Sequence, residues 1–215
     1  MSMLYHKIET LFERSTDGNK ALIEGKWRNP LVEYLKDNTW TFTEKIDGTN
    51  IRIIWDGHKV TFGGRTERAQ IPAHLIDKLL ELFGGETVAQ MFEQLFGERE
   101  VVLFGEGYGY KIQKGGLYRP DVSFILFDVA VNGVYQPRIA VEAIADTFAI
   151  EVVPVLFEGT LSDGVDFVKT KPVSTIGTHP MEGLVARPQI ETQDRHGNRV
   201  IVKIKVSDFG EGETK

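Results

Sequence analysis

The spacing of apolar residues changes partway along this chain, which restricts it to folds that combine sheets with helices. Over residues 73 to 97 the apolar positions recur every three to four residues, as Leu75, Ile76, Leu79, Leu82 and Phe83 and then as Val88, Met91, Phe92, Leu95 and Phe96. That is the period of helices with one buried side, and Gly84-Gly85 divides the stretch into two. On either side the pattern is that of strands. Residues 39 to 68 predict a strand, a glycine turn, a second strand over Asn50 to Trp55, a hairpin turn at Asp56-Gly57 and a third strand over Lys59 to Phe62, all antiparallel. Further strands are expected over Glu100 to Glu106 and over Ser123 to Val131, the latter turning at Asn132-Gly133. A short helix over Val141 to Ile150 is followed by strands at Glu151 to Phe157, Glu182 to Arg187 and Arg199 to Val206. No internal repeat, low-complexity tract or linker interrupts residues 1 to 215. The expected architecture is one α+β domain, with mixed or antiparallel sheets and flanking helices.

Several function classes are excluded by what the chain lacks. It has no cysteine, so disulfides, thiolate metal sites and cysteine nucleophiles are absent. His6, His58, His74, His179 and His196 are scattered without the spacings that zinc sites need. There is no run of eighteen apolar residues and no charged-then-apolar leader, so neither a membrane span nor a secretory signal is indicated and a cytoplasmic location is expected. A net charge of −6 argues against a sequence-independent DNA coat, which holds phosphates with excess Lys and Arg. The acids concentrate before residue 45 and over 77 to 100, whereas Lys111, Lys114, Arg119, Lys169, Lys171, Arg187, Arg195, Arg199, Lys203 and Lys205 fall later. A local basic surface is therefore compatible with the overall sign.

Six stretches place charged or aromatic side chains at strand ends or in glycine-rich turns: "EKIDGTN" (44 to 50), "GGRTER" (63 to 68), "LFGEGYG" (103 to 109), "SFILFDV" (123 to 129), "MEGLVAR" (181 to 187) and "IVKIKVSDF" (201 to 209). In order and approximate spacing they resemble the nucleotidyltransferase motifs of the covalent ligase and mRNA-capping superfamily. The resemblance spans residues 44 to 205. Asn50, which closes "KIDGTN", and the stretch "GYKIQKGGLY" look like the RNA-ligase branch, because DNA ligases and capping enzymes usually carry arginine at the asparagine position. The fold so implied is a ligase-type, ATP-grasp-like nucleotidyltransferase domain.

The resemblance makes Lys45 the nucleophile that attacks the α-phosphorus of ATP, forming a lysyl-adenylate and expelling pyrophosphate. A free lysine, with a pKa of about 10.4, is almost wholly protonated at neutral pH, so such a nucleophile needs neighbours that disfavour the ammonium. Lys203 and Lys205, two apart on an expected strand, share a face and match the last motif. They are expected to hold the α-phosphate and to keep Lys45 deprotonated; a solvated strand face is the plain alternative. Glu106 and Glu182 match carboxylates that bind the ribose hydroxyls and the catalytic divalent metal, Mg²⁺ or Mn²⁺, a hard cation suited to oxygen ligands. Phe127 matches the aromatic on which adenine stacks, though alone it reads equally as a core phenylalanine. Arg65 matches a phosphate-contacting arginine, against the alternative of a surface arginine. Asp47 and Asn50 flank a glycine that permits both side chains to face a ligand. Asn50 would donate to a phosphate oxygen or the ribose, and in the family it also contributes to ligation. Glu44 is expected beside the adenine amino group. Tyr108, Tyr110, Lys111, Lys114, Tyr118 and Arg119 interleave aromatics and cations, as a strand- or phosphate-contacting loop does; an ordinary β-connection is the alternative.

In one respect the chain departs from its relatives. DNA ligases and capping enzymes follow the last motif with an OB-fold domain, and phage-type RNA ligases carry an extra C-terminal domain, whereas ten residues follow Lys205 here. No OB-fold domain is expected: the chain is a minimal ligase, a piece of a longer ligase whose further domain binds RNA, or a subunit whose partner protein does. The function implied is an ATP-dependent RNA ligase that transfers AMP from Lys45 to an RNA 5′-phosphate and seals it to a 3′-OH, acting on RNA ends or a nicked RNA duplex. The alternatives are a DNA ligase catalytic domain and a nucleotide- or RNA-end-binding module on the same scaffold. Intact Lys45, Glu182, Lys203 and Lys205 speak against a module that only binds.

Overall fold

The computed structural model describes residues 2–16 and 20–209. It contains two compact units, one built from Met1–His6 with Asp47–Val153 and the other from Lys7–Ile46 with Pro154–Lys215. From the N-terminus come β1 (Glu9–Thr10), β2 (Phe12–Arg14), β3 (Leu22–Trp27) and a short helix, α1 (Pro30–Tyr34), capped by the Asn29 side chain. Next are β4 (Trp40–Lys45), β5 (Thr49–Trp55), β6 (Val60–Gly64), α2 (Ala73–Phe83), α3 (Glu86–Phe96), β7 (Val101–Gly109) and β8 (Val122–Val131). The remaining elements are β9 (Val134–Tyr135), α4 (Arg138–Thr147), β10 (Glu151–Val152), β11 (Val155–Gly159), α5 (Leu161–Lys169), β12 (Gly183–Pro188) and β13 (Val202–Lys205). The architecture is α+β with mixed sheets, as the apolar spacing predicts. Among the described residues no helix is long and apolar enough to cross a membrane.

The first unit is a six-stranded sheet in the order β10-β8-β7-β5-β6, with β9 beside β8 and only the β10–β8 pair parallel. Alternation sends Ile51, Ile53 and Trp55 to one face, where Leu75, Leu79 and Phe83 of α2 and Phe92 and Phe96 of α3 cover them. Each such burial contributes about 1.5–3 kcal/mol. Leu95 stays exposed, so the buried stripe of α3 is narrower than its apolar spacing. α4 begins and ends three residues earlier than expected. Its end is set by Ala149, whose φ of 52° turns the chain so that the Ile150 N–H reaches the Ala145 carbonyl at 3.0 Å, a left-handed helix stop.

The second unit carries a five-stranded sheet in the order β1-β13-β12-β4-β11 and the β2–β3 pair. Phe42, Leu184, Ala186, Val202 and Ile204 form its inner face against Leu161, Val165 and Val168 of α5. That helix, absent from the expectations, starts in a capping box in which Thr160 and Asp163 exchange side-chain and backbone hydrogen bonds. Two expected continuities are corrected. β4 and β5 are not neighbours in one sheet, because the chain leaves one sheet after Lys45 and joins the other at Thr49. The expected strand from 151 to 157 divides at Pro154 into β10 and β11, which belong to different sheets; proline has no N–H to offer a ladder. The last strand is also shorter than expected, Val202–Lys205.

Candidate active site

In the second unit, Lys45 on β4 and Lys205 on β13 both register with Gly183, which lies between them on β12. Two residues along, Thr43, Val185 and Lys203 form the next row. Because side chains two apart share a face, Lys45, Lys203 and Lys205 stand on one side of the sheet, opposite the apolar face that packs on α5. Glu182, one residue before β12, reaches into the first row. Its Oε2 accepts from Lys45 Nζ at 2.7 Å and its Oε1 from Lys205 Nζ at 2.6 Å. The carboxylate is thus a bridge between two ammonium groups, each only partly exposed, and such charge-assisted bonds are stronger than neutral ones.

The glycine at the centre of this row is required by close approach. A Cβ on Gly183 would lie 2.2 Å from the Ile204 carbonyl oxygen and 2.8 Å from Lys205 Cα. Gly183→Ala is therefore expected to push β13 away from β12 and to destabilise the protein by about 3 kcal/mol, the upper end of common single-substitution effects. Denaturant melts check this, and an unchanged midpoint would contradict the packing described.

Glu44 lies on the other face of β4 from Lys45, since adjacent strand residues point oppositely. It is 1% exposed. Its carboxylate accepts from Ser174 Oγ at 2.5 Å, Thr175 N at 2.9 Å and Thr175 Oγ1 at 2.6 Å. Oε1 takes only one of these bonds, so the carboxylate, with about four acceptor positions, retains one for a donor such as an adenine amino group. As built, Glu44 holds the 174–175 loop.

Of the expected residues in the first unit, Asn50 on β5 registers with Glu106 on β7. Among the described residues the buried Asn50 Oδ1 has no hydrogen-bond partner, a deficit of about 1–3 kcal/mol that a ligand donor such as a ribose hydroxyl would relieve. Gly48 brings the two strands together, for a Cβ there would sit 2.4 Å from the Gly107 carbonyl oxygen and 2.7 Å from Glu106 Cγ. The Asp47 N–H donates to Tyr118 Oη at 3.0 Å. Arg65 is solvent-exposed just past β6. Phe127 is half-buried in β8 at a bulge, because Phe104 pairs with Asp128 and Gly105 with Leu126, leaving Phe127 between them.

The 110–119 loop is anchored more firmly than an open basic loop. Tyr118 meets Tyr108 edge-on at 5.8 Å, and Ile112 is buried. Tyr108 Oη donates to Glu151 Oε2 at 2.6 Å. Burial first, and this bond second, push the Tyr108 phenol up to about 12, so it remains a donor at neutral pH. Arg119 is taken up by Asp121 through Nε and Nη2 and by Glu151 through Nη1; the Asp121 carboxylate is the main reason its guanidinium is held still more firmly protonated. Arg119 is thus structural, whereas Lys111 and Lys114 remain exposed. Gly183 is a contributor that the sequence does not single out, although it lies inside the "MEGLVAR" motif.

A divalent cation suits part of this donor set. Glu182 offers hard oxygen atoms, yet among the described residues no group of three or more His, Cys, Asp or Glu could hold a metal ion. An ion held by Glu182 would draw most of its other ligands from water and substrate phosphates.

Comparison with known proteins agrees with this arrangement of elements. The family described as RNA ligase matches residues 38–205. Among solved structures, a variant of the Naegleria gruberi RNA ligase in its apo form superposes with a TM-score of 0.63 at 19% identity, covering 84% of this chain and 53% of that one. Another variant of that ligase, with AMP and Mn, gives a TM-score of 0.63 at 18% identity over 82% of this chain and 52% of its own. A third, with ATP and Mn, gives 0.63 at 18% identity over 94% and 60%. The chain therefore spans about half the length of the first of these (53%), and at these identities the likeness is one of fold.

Proposed function

This chain belongs to the RNA ligase family, and from that premise we propose that residues 1–215 serve as the adenylyl-transferring domain of a cytoplasmic, ATP-dependent RNA ligase. The observation that carries this reading is the row in which Glu182 bridges Lys45 and Lys205. In the first step Lys45 Nζ attacks the α-phosphorus of ATP. The P–N bond forms, the bond to the oxygen bridging the α- and β-phosphates breaks, and pyrophosphate leaves. Attack needs a lone pair on Nζ, so Lys45 must part from Glu182 and lose a proton before the bond forms. Lys203 and Lys205, on the same face, are suited to the charge that grows on the α-phosphate. AMP then passes from Lys45 to an RNA 5′-phosphate oxygen, and finally a 3′-OH attacks that 5′-phosphorus and releases AMP. Glu106 is proposed for the ribose, Asn50 for the ribose or a phosphate oxygen, Asp47 as a further side chain facing the nucleotide, Arg65 for phosphate contacts, Phe127 for the base and Glu44 for the adenine amino group. Mg²⁺ or Mn²⁺, held by Glu182, would supply positive charge against the triphosphate. Supporting this, the similar ligases with bound ATP or AMP also contain Mn. The substrates would be RNA ends or a nicked RNA duplex, with a partner protein or further domain assisting RNA binding.

The test is covalent labelling. Protein incubated with α-labelled ATP and a divalent cation is expected to carry label through a denaturing gel, and excess chelator is expected to remove at least about 90% of it, given the charge a metal must offset. Absence of label with metal present sinks adenylyl transfer, and full labelling in chelator sinks the metal role of Glu182. Matched nicks ending in RNA or DNA then separate an RNA ligase from a DNA ligase: equal sealing of both favours the latter.

A further inference from the structure

Residues 2–6 belong to the first unit, and they lie on the face of its sheet that its helices leave uncovered. Arg52, 1% exposed, donates through Nη1 to Ser2 Oγ at 2.8 Å and Met3 O at 3.3 Å, and through Nε to Gly64 O at 2.8 Å. Tyr5 is 7% exposed. Its ring is 5.1 Å from Phe127 in an edge-on contact, 5.0 Å from Phe104 and 5.9 Å from Tyr135. Its hydroxyl donates to Asp128 Oδ2 at 2.9 Å, and Asp128 is fully buried. Ser2, Met3, Tyr5 and Arg52 all lie outside the six motifs, which these contacts reach at Gly64, Phe104, Phe127 and Asp128.

The position of Phe127 explains why such a brace is needed. A residue in a bulge lacks the ladder bonds that fix its neighbours, and bulges serve to re-aim a side chain. The direction of the Phe127 ring therefore depends on packing. Tyr5 supplies an edge-on aromatic wall, a contribution of about 0.5–1.5 kcal/mol beyond area burial, and its own pose is locked by a charge-assisted bond to the residue next to Phe127.

We propose that Tyr5 is a positioning residue for the nucleobase: anchored on Asp128, it holds the Phe127 ring in the pose on which the base of ATP stacks. This role rests on the adenylylation reading above. Removing the aromatic wall lets Phe127 turn, which weakens contact with the base while leaving the phosphate-binding side chains and the nucleophile intact.

The experiment measures initial rates of label formation against ATP concentration for the full chain, together with inhibition by inorganic tripolyphosphate, which has no base. Tyr5→Leu is expected to raise the KM for ATP about tenfold, to leave kcat within about twofold, and to leave tripolyphosphate inhibition unchanged. Tyr5→Phe keeps the ring and is expected to return most of the KM, within about threefold of the original. Asp128→Asn, which preserves size and weakens the anchor, gives a second variant with an expected KM rise of about threefold should Tyr5→Leu fail to fold. An unchanged KM in Tyr5→Leu, or in Asp128→Asn if it alone folds, overturns the role. So does a parallel loss of tripolyphosphate inhibition, which marks a general structural defect. Failure of the unsubstituted protein to label overturns the adenylylation reading and this role with it, whereas normal labelling with an unchanged KM overturns this role alone.

Discussion

Lys45→Met is expected to abolish covalent labelling entirely, beyond the detection limit of about a thousandfold, while the protein still folds. The phosphoramidate needs a nitrogen nucleophile, and methionine keeps the length of the side chain without an amine. Arginine would not substitute, because its guanidinium stays protonated. Folding should survive because the Lys45 side chain is 23% exposed and contributes one ion pair to a row that retains Lys205; a partly exposed pair contributes about 0–1 kcal/mol. ATP binding should persist, since nothing else in the row changes. Label on Lys45→Met, or a labelled peptide from wild type that maps to another lysine, would show that the nucleophile lies elsewhere.

Glu182→Ala should reduce labelling by at least about 10²–10³-fold, the usual scale for losing one preorganised electrostatic group. Two effects add. The substitution leaves Lys45 and Lys205 on either side of Gly183 with no carboxylate between them, so two like charges face a shared space. It also removes the acidic oxygens suited to the metal. Glu182→Gln separates these effects, because the amide fills the same volume and can still accept a hydrogen bond but carries no charge. If Gln restores the melting midpoint lost in Ala yet not the labelling, the charge is the functional requirement. Labelling at wild-type rates in both variants would remove Glu182 from the chemistry.

How far the fold and site can be read in advance differs from element to element, for physical reasons. α2 and α3 are visible because Leu75, Leu79, Phe83, Phe92 and Phe96 repeat at helical spacing, a signal internal to each helix. α5 is less visible although Thr160 and Asp163 form a capping box, because Gly164 sits in mid-helix where glycine is normally unfavourable. Its reason is tertiary: a Cβ there would lie 2.3 Å from the Phe42 ring. The β4–β5 junction looked like a hairpin because strand-forming residues flank a glycine, and no local feature distinguishes a turn within a sheet from a passage between sheets. In the site, the shared face of Lys203 and Lys205 follows from their spacing, whereas the Glu182 bridge joins Lys45 across 137 positions, beyond any local pattern. The opposite orientation of Glu44 was available from strand alternation. Tyr5 carried no signal at all, because a single tyrosine shows nothing of the partner 123 residues away.

The pairing order of the five-stranded sheet also has consequences during synthesis. β4 emerges early, yet its neighbour β12 begins at Gly183, 138 residues after Lys45 (183 − 45), and β1 pairs with β13, Glu9 opposite Val202. At roughly 5–20 residues per second, β4 waits on the order of 7–28 s for β12 to be made. During that interval Trp40 and Phe42, fully buried in the finished protein, have no completed sheet to enter. Contacts of such long range fold slowly and leave apolar strand edges available to other chains. Fragments ending before β12 are therefore expected to aggregate more readily than the full chain, which light scattering of the two at equal concentration would check.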